Sequence, residues 1–184
     1  DGQQWNQMMA NGSGGYVDST YDSTKKNILI CWEGTNAINI GGISAAQAFA
    51  QAQAYTAERL SIHPGWLIVH MTLLPIYYQQ WSDATAANVN AVQNAYSNML
   101  RDGWKAMGAK AIIDVQQAGS VFRFSDYNKT TFQAANIGGQ SIWSPNDQYG
   151  GGGTGQNQWV HPSNVGYTQI AQIAVSVVRR LPAR

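Results

Sequence analysis

One cysteine occurs in the 184 residues, so no disulfide can close within this chain. Cys31 ends the apolar run Asn27-Ile28-Leu29-Ile30-Cys31, a setting that makes it a small buried hydrophobe rather than a reactive thiol. Charge is equally scarce. Only 11% of residues are charged and the net charge is +1, with no basic cluster beyond Lys25-Lys26 and Arg179-Arg180, which excludes the electrostatic footprint of a nucleic-acid binder. No apolar run approaches the roughly 18–20 residues of a membrane helix, and the first residues lack the charged-then-apolar pattern of a secretory signal. His-x-x-x-His, cysteine pairs and clustered carboxylates are also missing, so the sequence indicates neither a metal nor any other cofactor.

What the chain does have is 19 glycines, seven tryptophans and many Gln, Asn, Ser and Thr residues. That composition points to an extracellular protein or a virion surface. The length fits a single domain over 1–184, which would bury roughly 70% of its unfolded surface. Two sequons, at Asn11 and Asn128, matter only in a eukaryotic secretory pathway.

Short apolar runs alternate with helical patterns. Gln3 to Ala10 reads as a helix. Ile28 to Trp32, Trp66 to Leu73 and Ala111 to Val115 read as strands buried on both faces. Between them, Ser44 to about Leu60 predicts a helix with Ala46, Phe49, Ala50, Gln53 and Ala54 on its inward stripe, and Thr85 to Arg101 predicts another. Ser163 opens a last helix carrying Val165, Ile170, Ile173, Ala174 and Val177 inward. Such alternation implies a parallel sheet with right-handed crossovers. Gln117 to Gln158, punctuated by glycines, reads as a long excursion lying near the site.

Two segments carry the chemistry. Trp32-Glu33-Gly34-Thr35-Asn36 follows the first strand, so Asn36 lies just past a strand's carboxyl end, where open α/β sheets bind ligands. His161-Pro162-Ser163-Asn164-Val165-Gly166-Tyr167 leads into the last helix. A neutral amide can stabilise a developing oxyanion without changing its protonation, and an imidazole can take up a proton and return it near neutral pH. Together they suit acyl transfer. His63, in a Pro-Gly turn, and His70, inside an apolar strand, read as structural.

Gly34-Thr35-Asn36 and His161-Pro162, followed by Gly166-Tyr167-Thr168-Gln169-Ile170-Ala171, resemble the SGNH/GDSL hydrolases, serine esterases and lipases. The resemblance implies a flavodoxin-like three-layer α/β/α sandwich with a parallel sheet. It makes Asn36 the oxyanion asparagine, His161 the general base and Gly2 the oxyanion glycine. The family's Gly-Asp-Ser block, which bears the nucleophile, occurs nowhere in the chain. The expectation is therefore a C-terminal portion, with its first strands absent and its serine supplied from upstream. Gln158 stands where the family has the aspartate that orients the histidine; it offers a carbonyl but no carboxylate, which leaves a Ser-His dyad or another carboxylate such as Asp147 as the alternatives. Ala37 replaces the aspartate that often follows the asparagine. Ser13, between glycines, lacks the strand-to-helix setting of a nucleophile elbow.

Tyr77, Tyr78 and Trp81 follow the second strand, and with Trp143 and Trp159 they are candidates for stacking on a sugar or for packing a loop. The implied activity is hydrolysis of an ester or O-acetyl group of a small molecule or glycan. The alternative is an inactive SGNH-like domain used for glycan binding or assembly. A sheet without its middle strand leaves an apolar edge, so an upstream segment or a second chain is the expected partner there.

Overall fold

The computed structural model describes residues 16–144 and 159–183. The expected helix over Gln3–Ala10 lies outside them, as do Gly2, Ser13, Asp147 and Gln158. The described residues gather into two compact units, one of 16–73, 92–114 and 177–183, the other of 74–91, 115–144 and 159–176.

The first unit is built on a parallel sheet. β1 (Asn27–Cys31) pairs with β2 (Trp66–Met71) from Asn27↔Trp66 to Cys31↔His70, and β2 pairs with β3 (Ala111–Ile113) from Val69↔Ala111 to Met71↔Ile113. The order is β1-β2-β3. Central β2 is apolar and closed, with Ile68 and Val69 fully buried. β1 corrects the expectation of a strand buried on both faces: among the described strands it is an edge, Ile28 and Leu29 are half-buried, and Ile30 is 46% exposed. β3 stops two residues early because Asp114 leaves the ladder, accepting from Arg101 Nε (2.9 Å) and Nη2 (2.8 Å) and from Thr72 Oγ1 (3.0 Å).

Around the sheet lie α1 (Tyr16–Ser19), α2 (Thr35–Asn39), α3 (Ala45–Ile62) and the later turns of α4 (Asp83–Gly103). Ser44 opens α3 with a capping box, its hydroxyl accepting from the Gln47 N–H while the Gln47 side chain reaches back to the Ser44 N–H. The buried stripe is Ala45, Ala48, Ala52, Tyr55, Thr56 and Arg59, so the predicted stripe is wrong: Ala46, Ala50, Gln53 and Ala54 are exposed and Phe49 is half-buried. With alanine on every side, hydropathy does not discriminate between faces. Tyr55 and Arg59 set the rotation, because the Arg59 guanidinium is buried against the Asp18 carboxylate of α1.

His63 ends α3 and stacks on Tyr21 at 4.3 Å, while His70 is fully enclosed. Thr56 Oγ1 donates to Ala52 O (2.8 Å), so at 2.8 Å from His70 Nε2 it must accept, which fixes the Nε2–H tautomer. Burial lowers the His70 pKa from 6.5 to about 4. Burial also raises Glu33, from 4.5 to about 7, against the backbone N–H groups of Gly34 and Ala37 that favour its charge. These two groups have opposite linkage. His70 contributes stability above pH 6.5 that is lost as pH falls through about 4, roughly 3 kcal/mol in full, whereas Glu33 contributes stability below 4.5 that is lost as pH rises through about 7. The parent chain should therefore show a shallow profile between these limits. Urea midpoints across this range should fall towards acid in Glu33→Gln and towards neutral in His70→Gln; unchanged slopes would contradict both shifts.

The second unit has its own aromatic core. Tyr77, Phe122, Phe132, Trp143 and Trp159 are all at most 7% exposed, with Phe132 stacked on Trp143 at 5.6 Å and Phe124 edge-on to Phe132 at 4.8 Å. The glycine-rich stretch read as an excursion is, through Ser144, a packed element of that unit. It contains α5 (Lys129–Ala134) and a hairpin of β4 (Asn136–Ile137) and β5 (Gln140–Ser141) turning at Gly138-Gly139. Asn128, the sequon asparagine, caps α5 by accepting from the Thr131 N–H at 2.9 Å. Buried Asn90, on the early turns of α4, satisfies both the N–H (2.9 Å) and the carbonyl (2.7 Å) of Ile76. α6 (Asn164–Val178) buries Gly166, Ile170 and Ile173.

Candidate functional site

Asn36 is presented by a turn with little freedom. β1 ends at Cys31, and three residues later Gly34 begins α2 at φ 137°, where a Cβ would come 2.7 Å from the Tyr96 ring. Tyr96, fully buried on α4, also donates its hydroxyl to the Glu33 carbonyl at 3.1 Å. The helix then closes with Ile38 N–H to Gly34 O and Ile40 N–H to Asn36 O, both 2.9 Å. Ala37 is fully buried, and an aspartate there would have to bury its charge.

The Asn36 side chain is half-buried and makes no hydrogen bond to any described residue; α2 has Gly34 as its N-cap and no side-chain cap. An asparagine one residue into a helix ordinarily serves its own turn. Cys31, five residues earlier, is buried and its thiol is pushed up to about 12 by that burial, an inert group as its place in the strand predicts.

His161 belongs to the second unit. Its carbonyl accepts from the Ser144 N–H at 2.9 Å and its side chain is exposed. The next residues are tied to the 141–144 segment: Pro162 bridges Trp143, Ser163 N–H donates to Ile142 O (2.8 Å) and Ser163 Oγ to Ser141 O (2.7 Å). Gly166 allows this approach, since a Cβ there would lie 2.3 Å from Ile142 O. The imidazole is therefore carried on a fixed backbone at the start of α6. The residues that follow His161, Pro162 to Val165, help line a cavity of about 610 Å³ together with Gln133, Gln140, Trp143 and Trp159.

Of the aromatic candidates, Tyr77 and Trp159 are brought together. Their backbones exchange hydrogen bonds of 3.0 and 2.9 Å, their rings meet at 5.5 Å, and they are only 3% and 7% exposed. The single proton of Tyr77 Oη is shared between two acceptors, Asp83 Oδ1 and Trp81 O, each 3.0 Å away. These two rings are largely buried in the unit, and Trp159 shows its small remaining surface to the cavity it helps line. Tyr78 and Trp81, at 4.6 Å from each other, are half-buried and keep part of their surface open. Gly2 and Gln158 lie outside the described residues.

Sequence reasoning missed Glu33 and Tyr96. A glutamate ending an apolar strand just before Gly-Thr-Asn was the available signal for the first. Nothing local marks Tyr96, which acts from a helix 60 residues on. Among the described residues no group of three His, Cys, Asp or Glu side chains could hold a metal ion, and no helix is long and apolar enough to cross a membrane.

No protein-family model and no curated protein sequence matches the chain. Solved structures do. A family 3 carbohydrate esterase of Clostridium thermocellum aligns over 97% of this chain with TM-score 0.53 and 14% identity. A protein described as a GDSL-like lipase, from Parabacteroides merdae, aligns over 96% with TM-score 0.55 and 11% identity. An acetyl xylan esterase, AlAXEase, aligns over 95% with TM-score 0.55 and 13% identity. The alignments span 66%, 68% and 76% of those three chains, just under two thirds for the first. With its parallel three-stranded sheet and interleaved helices, this chain has the α/β fold of the SGNH/GDSL hydrolases.

Proposed function

We propose that this chain is the larger part of an SGNH-type serine esterase that removes an ester or O-acetyl group from a carbohydrate or similar small substrate. The observation that carries the reading is the half-buried amide of Asn36, which no described residue holds by a hydrogen bond, on a turn locked by Gly34 and Tyr96. Preorganised neutral donors of this kind stabilise the tetrahedral oxyanion. The backbone N–H of Gly2 is the second donor. A serine from an upstream Gly-Asp-Ser segment attacks the acyl carbon while His161 takes its proton; His161 then protonates the leaving alcohol, and water hydrolyses the acyl-enzyme by the same route. The Gln158 carbonyl orients the imidazole in place of a carboxylate.

Two of the fold's relatives are named for carbohydrate and acetyl xylan esters, which supports the substrate class. The amide- and tryptophan-lined cavity next to the His161 segment, with the part-open Tyr78–Trp81 pair, supports a hydroxyl-rich alcohol. The place of β1 at the end of the strand order among the described residues supports pairing with a strand of the upstream segment or of a second chain. The composition supports a secreted or virion-surface setting.

The second reading, an inactive SGNH-like domain for glycan binding or assembly, is favoured by Gln158 in place of aspartate and by the absence of Gly-Asp-Ser within the 184 residues. Acetate release from acetylated xylan and from p-nitrophenyl acetate by the full native polypeptide separates the two. Asn36→Ala is expected to lower kcat/KM by ~10²–10³ with the fold intact. An unchanged rate would remove Asn36 from the site, and glycan binding without turnover would establish the second reading.

A further inference from the structure

Backbone hydrogen bonds knit together the walls of the cavity in the second unit. Ile142 N–H donates to Ala135 O (3.2 Å), tying the segment after β5 to the end of α5. Ser163 N–H donates to Ile142 O (2.8 Å) and Ser144 N–H to His161 O (2.9 Å), tying the same segment to the residues that lead into α6. Phe132, fully buried and stacked on Trp143 at 5.6 Å, fixes the rotation of α5 and so places its neighbour Gln133. Gly138 and Gly139, at φ 57° and 80°, make the tight hairpin turn, and the pair Ile137↔Gln140 that closes it places Gln140. The cavity of about 610 Å³ is therefore preformed, with a volume in the range of small-molecule sites, roughly 300–1,000 Å³. None of the ten described residues that line it carries a charge. Gln133, Gln140 and Asn164 are exposed, and no described residue holds their side-chain amides by a hydrogen bond.

We propose that this cavity binds a short stretch of an uncharged saccharide, the alcohol part of the substrate, and that Gln133 and Gln140 determine its specificity. The proposal rests on the esterase reading and deepens it, since it says which alcohols are accepted and which side chains choose them. A primary amide presents two N–H donors and an acceptor oxygen, and a sugar hydroxyl both donates and accepts, so each amide can serve neighbouring ring hydroxyls whichever way they point. An acyl chain laid over the same amides would take them out of water and give no hydrogen bond in return. An anionic sugar would have to shed water against a lining that holds no cation to receive its charge. The apolar part of the lining, with Pro162, Val165 and the remaining surface of Trp159, suits the C–H faces of a sugar ring. A few placed polar groups over an apolar lining is the usual build of a site that orients a neutral ligand.

The test is ¹H–¹⁵N NMR of the full native polypeptide, following the Gln133 and Gln140 side-chain amides during titration with xylotriose, cellotriose, mannotriose and chitotriose, and with trigalacturonate as the anionic probe. At least one neutral trisaccharide should shift both amides to saturation, and trigalacturonate should leave them in place. Gln133→Ala and Gln140→Ala should each weaken that binding about three- to tenfold, the loss expected for one hydrogen bond between neutral groups. Both side chains are exposed, so the variants should keep the parent's far-UV circular dichroism. Gln140→Lys should turn the preference round and admit trigalacturonate. The proposal is overturned if no neutral probe moves the two amides, if the parent takes trigalacturonate as well as the neutral probes, or if neither alanine variant weakens binding. The parent titrations alone decide the first two points, so a variant that fails to fold leaves the test standing. None of the probes carries an ester. Saccharide binding by a protein that hydrolyses no ester would refute the esterase reading and keep the cavity assignment, whereas release of acetate from p-nitrophenyl acetate without saccharide binding would do the reverse.

Discussion

Replacing Arg59 with alanine is expected to lower the unfolding free energy by about 3–5 kcal/mol, the usual cost of stranding one partner of a buried ion pair. The side chains of Arg59 and Asp18 are only 1% and 4% exposed. The guanidinium bonds Asp18 through Nη1, lies 3.0 Å from the Glu58 carboxylate through Nη2, and sits over the Tyr55 ring at 5.4 Å. Removing it leaves the Asp18 carboxylate in a place water does not reach. Removing both charges should be much milder, because two buried ions trade large desolvation costs against their attraction and an apolar pair of similar volume does neither. Urea unfolding at pH 7 should therefore rank the double variant Arg59→Met/Asp18→Leu well above Arg59→Ala. A cost below about 1 kcal/mol for the single change would mean that the pair does not hold α1 to α3.

His161→Ala is expected to reduce ester hydrolysis by about 10⁴-fold or more, since a serine without its base keeps only what the oxyanion donors and binding provide. The imidazole is exposed while its backbone is held by Ser144, and the neighbouring Ser163 is tied to Ile142, so the substitution should leave far-UV circular dichroism and the urea midpoint unchanged. His63→Ala is the matched control. That ring is stacked on Tyr21 at 4.3 Å and should matter for stability alone. His70 cannot serve as a control, because its enclosed ring is part of the core.

How much of this was legible in the residues depended on how far each signal travels along the chain. The three strands could be read because runs such as Ile28-Leu29-Ile30 and Leu67-Ile68-Val69 are short, apolar and β-branched, and the helices between them imply the parallel order that is found. The inward face of α3 could not be read, because alanine at 45, 46, 48, 50, 52 and 54 gives hydropathy no direction. An arginine, the residue least expected inside, sets that face through a partner 41 positions away. The second unit was hidden for a related reason: Phe122, Phe132, Trp143 and Trp159 are spread among glycines and polar residues with no period, and only packing shows them to be one core. Asn36 and His161 stood out because each follows or precedes a regular element. Glu33 did not, since its half-burial comes from the turn that encloses it and not from any pattern in the sequence.

The most direct test of the central claim is intact-mass and peptide mapping of the native polypeptide after exposure to a fluorophosphonate, which modifies an activated serine. The account predicts a single adduct on the serine of a Gly-Asp-Ser segment upstream of these 184 residues, abolished in His161→Ala and retained in His63→Ala. Absence of any labelled serine, or labelling that is indifferent to His161, would contradict it.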